Sequence, residues 1–142
     1  MKQKLADGYE LDDDPGRVDR VAVHDYLSRE SYWAAGRPRA VMDELIVTAA
    51  RVVGLYHAGR QVGFARVVSD GHTQSYLADV FVLPVHRGRG HGEALVRFAV
   101  DEGPLAHTKW LLHTADAHDL YRKLGFHGPG DRVMERDGRG EA

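Results

Sequence analysis

The 142-residue sequence contains no cysteine. That absence excludes disulfides, thiolate metal sites and any mechanism through a cysteine nucleophile. An excess of one charge is lacking too: 19 Lys and Arg stand against 21 Asp and Glu, a formal net charge of -2. So balanced a chain carries no electrostatic footprint for nucleic acid. No apolar run nears the roughly 18–20 residues that span a membrane. The opening MKQKLADGYELDDDPG has no apolar segment of the signal-peptide kind. These absences point to a cytoplasmic protein with neither a nucleic-acid nor a membrane partner. What is present is an ordinary globular composition, 43% hydrophobic and 28% charged. The length suits one domain over residues 1–142, with a charged, glycine-rich tail at 137–142 expected to be disordered.

Hydrophobic periodicity divides the chain. Residues 9–11 read as a short edge strand and 17–28 as a helix. A second helix follows Pro38 through Val41, Met42, Leu45 and Ile46. The period then switches. Residues 52–57, 61–68 and 75–83 are rich in Val, Phe and Tyr and are joined by short turns, which predicts three consecutive antiparallel strands. A helix over 92–102, a strand over 110–113, a helix over 117–124 and a last strand over 132–136 complete the order β-α-α-β-β-β-α-β-α-β. This is an α+β domain on a mixed, mainly antiparallel sheet flanked by helices.

The stretch 82–100, VLPVHRGRGHGEALVRFAV, places three glycines and two arginines where a strand hands over to a helix. Bare backbone N–H groups, a helix N-terminus and guanidinium groups together make a cradle for phosphate. A P-loop would need G-x-x-x-x-G-K-[ST], and here Gly92 is followed by Glu93 and Ala94. A dinucleotide fingerprint would need G-x-G-x-x-G in a βαβ unit, whereas the spacing here is G-x-G-x-G behind antiparallel strands. Residues 87–92 instead read R-x-x-G-x-G, and residues 117–126, AHDLYRKLGF, read A-x-x-L-Y-x-x-x-G-F. In this order, with a helix and a strand between them, the two motifs resemble the acyl-CoA and tyrosine signatures of the GNAT acetyltransferase superfamily. The resemblance is sharpest over residues 61–126.

The resemblance implies a sheet splayed between the strands either side of the cofactor-binding helix, with acetyl-CoA entering the gap as co-substrate. The backbone of Phe81, Val82 and Leu83 would meet its pantetheine arm. An N–H near Val82 would polarise the thioester carbonyl. Arg87, Gly88, Arg89, Gly90, His91 and Gly92 would hold the pyrophosphate. Thr114 stands where many relatives carry asparagine, and would make a polar contact. Tyr121 would protonate the departing thiolate, since a phenol of pKa about 10 is protonated at neutral pH. Its alternative is a packed aromatic. Asp79, a carboxylate in an apolar strand, is expected on the face of Phe81 and Leu83, either as a base or amine anchor or as half of an ion pair with Arg66. Asp116 reads as a helix N-cap. Tyr32 and Trp33, with Phe64 and Arg66, would wall an acceptor pocket. His113 and His118 are five apart rather than four, so the nine histidines suggest no metal site. The expected activity is acetyl transfer to a small-molecule or peptide amine, directly within a ternary complex. A non-catalytic acyl-CoA sensor is the rival. Homodimerisation is common in the superfamily, but no patch in the sequence requires it.

Overall fold

In the computed structural model, which describes residues 1–140, the elements run β1 (Lys2–Lys4), β2 (Tyr9–Asp12), α1 (Arg20–Arg29), α2 (Arg39–Thr48), β3 (Arg51–His57), β4 (Arg60–Ser69), β5 (Gln74–Val82), α3 (His91–Asp101), β6 (Lys109–Leu112) and α4 (His118–Lys123). The six strands form one sheet in chain order. All neighbours are antiparallel except β5 and β6, which are parallel because α3 carries the chain back across the sheet.

Helices cover both faces. On one, Val23, Tyr26 and Leu27 of α1 and Met42 and Ile46 of α2 close over Val52, Phe64 and Phe81. On the other, Leu95, Val96, Phe98 and Ala99 of α3 pack with Leu55, Val67, Leu77 and Val82, joined by Tyr121 from α4. The central strands β3 and β4 are buried on both faces, which is why they read as continuous apolar runs. Local chemistry sets the helix ends. Asp19 accepts the N–H of Ala22 to start α1. At the far end of α3, the buried guanidinium of Arg51 donates to the carbonyls of Phe98 and Ala99 at 2.8 and 2.9 Å. It also pairs with Asp13.

The structure adds one strand and lacks another. β1 is not legible in the sequence, because Lys2-Gln3-Lys4 has no apolar alternation; it forms by pairing with β2. The strand expected over 132–136 is absent: that segment has no ladder partner and Met134 is 93% exposed. β6 is therefore paired on one side only. Residues 137–140 of the expected tail form no helix or strand. Residues 141 and 142 lie outside the described residues. Among the described residues no helix is long and apolar enough to cross a membrane.

Candidate functional site

The site begins at a defect in β5. Phe64 faces Phe81 but Arg66 faces Ala78, so β5 carries one residue more than β4 between these pairs. This is a β-bulge. Asp79 sits in it with φ 55°, a left-handed conformation that aspartate tolerates better than most residues. The bulge resets the alternation. Leu77 faces α3, whereas Asp79 and Phe81 face α1 and α2. Pairing between β5 and β6 covers only Gln74–Leu77 and Lys109–Leu112, and beyond it the two strands part. The sheet is thus splayed as expected. Leu83 donates its N–H to Val62, so by alternation the peptide groups of Val82 point the other way, into the gap.

Below the gap lies the glycine loop. Gly88 and Gly90 have φ 78° and 81°, and a Cβ on either would meet no atom within 4 Å. Glycine is required there by backbone conformation rather than by space. Gly90 caps α3 without any side-chain acceptor, so the first N–H groups of the helix face the loop. Arg87 is tethered: its Nε donates to the Val82 carbonyl at 2.7 Å and its Nη2 to the Tyr26 hydroxyl at 2.8 Å. Arg89 stays exposed. His91 turns inward, its ring centroid 3.9 Å from that of Tyr9, so only its backbone serves the loop. Burial and the nearby Arg89 hold its imidazole below the ordinary histidine range.

At the other end of the gap is a cleft of about 550 Å³. Tyr32, Trp33, Arg66, Asp79, Thr114 and Tyr121, all picked out in the sequence, line it. Asp79 is 5% exposed and accepts three hydrogen bonds. Its Oδ1 accepts from Trp33 Nε1 at 3.0 Å, and its Oδ2 accepts from Arg37 and Arg66 at 2.8 Å each. Burial works to raise its pKa, but the two guanidiniums more than offset this and hold the carboxyl below the usual range. Tyr121 is buried, its hydroxyl has no hydrogen-bond partner among the described residues, and burial pushes its pKa up to about 12. Tyr32 accepts the N–H of Ala115 at 2.9 Å, bridging the α1–α2 loop to the segment before α4.

Some expectations need correcting. Phe64 is not in the wall: it is wholly buried in the cluster under α1 and α2. The ring of Phe81 stacks on Tyr26 at 4.1 Å, which is compatible with the expected role of its backbone. Asp116 does not cap α4; Thr114 Oγ1 takes the Ala117 N–H instead, at 3.1 Å. The sequence reading missed Arg37, which could have been suspected from the need of a buried carboxylate for more than one partner. It also missed Tyr76, whose hydroxyl lies 2.7 Å from Nδ1 of His113 in the cleft lining. Among the described residues no group of three or more His, Asp or Glu is placed to hold a metal ion.

The comparisons with known proteins bear on the family and the fold. A family model described as an acetyltransferase (GNAT) domain matches residues 48–128. The crystal structure of a Xanthomonas campestris protein assigned to the GNAT family shares 38% identity and superposes with a TM-score of 0.86, covering 92% of this chain and 93% of that one. A Gibberella zeae protein named as an acetyltransferase is 29% identical over 141 residues, 83% of this chain and 78% of its own length. A Deinococcus radiodurans structure at 19% identity and TM-score 0.73, covering 96% of this chain and 94% of that one, shares the fold.

Proposed function

Because the chain belongs to the GNAT family of acetyltransferases, we propose that this N-acetyltransferase moves the acetyl group of acetyl-CoA to a primary amine, directly and within a ternary complex. The observation that carries the reading is the gap beside Val82, which joins the uncapped N-terminus of α3 at one end to the Tyr121 phenol in the cleft lining at the other. The loop N–H groups and Arg89 would hold the pyrophosphate, while the pantetheine arm fills the gap against the Val82 backbone. The N–H of Val82 then faces the thioester carbonyl, stabilising the oxyanion as nitrogen attacks. A C–N bond forms, the C–S bond breaks, and sulfur takes a proton from Tyr121, which solvent restores. Burial keeps that phenol protonated throughout the working range. The same water-poor surroundings raise the basicity of the leaving sulfur.

Asp79 fits the role of a positioning residue better than that of a base. A carboxylate that accepts from two arginines and an indole N–H, and whose pKa is held below the usual range, has little affinity for a proton. It fixes Trp33, Arg37 and Arg66 in the acceptor wall. The proton of the acceptor leaves through the open cleft, where His113 offers an imidazole.

Calorimetric titration with acetyl-CoA, with CoA, ATP and NAD in parallel, tests the cofactor. Thiol release with a panel of amines then tests the transfer, free of protein background because cysteine is absent. Binding of acetyl-CoA with competition by CoA alone, followed by amine-dependent release, is the expected result. Binding without release under any amine leaves a sensor, and no binding removes the reading altogether. In the same assay Asp79→Asn should keep the shape of the rate–pH profile. A rate lost mainly at low pH would make Asp79 the base.

A further inference from the structure

The Asp79 cluster is electrically incomplete. One carboxylate faces two guanidiniums whose side chains are only 17% (Arg37) and 11% (Arg66) exposed. Both carboxylate oxygens are taken. Nη1 and Nη2 of Arg66, and Nε and Nη2 of Arg37, have no hydrogen-bond partner among the described residues. One positive charge is thus left over in the wall of the cleft, with its unpaired nitrogens open to the cleft. Donors that face the cleft and have no protein acceptor are available to an anion that enters it. The guanidinium fork matches a carboxylate or a phosphate. The one other carboxylate in the cleft lining is Asp116, which makes no hydrogen bond or ion pair with either arginine and whose charge helps raise the pKa of Tyr121. The cleft therefore has a cationic wall at Arg37 and Arg66 and an acidic group at the phenol.

We propose that the acceptor is an amine that also carries an anionic group, a carboxylate or a phosphate, which Arg37 and Arg66 hold while the amine lies toward Asp116 and Tyr121. The proposal rests on the acetyl-transfer reading for the word acceptor, but the anion subsite is measurable without turnover. The probes are two matched pairs: O-phosphoethanolamine against ethanolamine, and β-alanine against β-alaninamide. Each is titrated calorimetrically into the protein, with and without saturating CoA.

In at least one pair the anionic member should bind tighter by about tenfold or more, the scale of one or two charge-assisted hydrogen bonds. Added salt should weaken the preference. Which pair shows it identifies phosphate or carboxylate. Arg66→Gln, in which Arg37 still pairs with Asp79, should abolish the preference while leaving acetyl-CoA affinity as it was, and Arg66→Lys should recover part of it. Equal affinities within both pairs, a preference that survives Arg66→Gln, or no binding by any of the four overturns the proposal. Thiol release as fast with the neutral amines as with the anionic ones removes the anion subsite and leaves acetyl transfer standing. A charge preference without thiol release from any amine leaves the subsite and removes acetyl transfer.

Discussion

Tyr121 combines two properties that packing alone does not need together. Its ring sits in the core against Phe126, centroids 5.7 Å apart, while its hydroxyl stays in the cleft lining without a hydrogen-bond partner among the described residues. A purely structural aromatic there would function equally well as phenylalanine. Tyr121→Phe should therefore lower turnover by about 10²-fold or more, the scale of a general acid, with acetyl-CoA affinity and thermal stability little changed. Steady-state thiol release beside calorimetry checks this, and unaltered turnover would remove the acid role. The tyrosine was legible because its motif is local, with Leu120 and Gly125-Phe126 at fixed spacing. Asp79 was only half legible. A charge in an apolar strand demands a partner, and the neighbouring strand suggested Arg66. Arg37 and Trp33 lie 42 and 46 residues away and reach Asp79 only through the α1–α2 loop. No spacing rule in the sequence announces that meeting.

Among the elements, α3 depends most on a residue outside itself. Its N-terminus is left uncapped, facing the glycine loop, while its C-terminal carbonyls are satisfied by Arg51, the first residue of β3. Arg51 also lies over the Phe98 ring at 4.8 Å and pairs with Asp13. Arg51→Met keeps the length and loses the charge, stranding two carbonyls, while Asp13 keeps its pair with the N-terminal ammonium. It should cost about 2 kcal/mol, the scale of losing hydrogen bonds from a charged donor to buried carbonyls, read as a lower urea midpoint at constant m-value. A change within about 0.5 kcal/mol, the range of an ordinary surface site, would show the cap to be dispensable. The elements with their own periodicity were readable: both N-terminal helices, the β3–β5 meander and α3. Those formed by pairing were not. Lys2-Gln3-Lys4 has no strand character but finds the edge of β2, while Val133 and Met134 have strand character and find no edge. Strand propensity records how a residue suits a pleated surface and leaves the partner unstated.

For the molecule as a whole, buried titratable groups set the pH window of stability. Tyr56 and Tyr121 are both pushed up to about 12 by burial, from 10. The unfolded chain releases these protons from about pH 10, and the folded chain keeps them to about 12. Their contribution is therefore complete below pH 10 and falls as pH rises toward 12. On the acid side, Asp12 and Asp79 are held below the ordinary carboxylate range, so their contribution is present above that range and is lost as pH falls through it. Urea midpoints should accordingly decline from pH 10 to 11 in the native protein and decline less in Tyr56→Phe. Identical slopes would remove Tyr56 from the account. One feature of the fold has a bearing at this scale too. Four residue pairs and the Ser75–Thr108 hydroxyl contact at 2.7 Å join β6 to the rest of the sheet. Past them the sheet is an unfinished arch. On the proposed reading the pantetheine arm is its keystone, so the firmness of the fold becomes a function of how much acyl-CoA the surroundings hold, each tenfold excess over the dissociation constant adding about 1.4 kcal/mol.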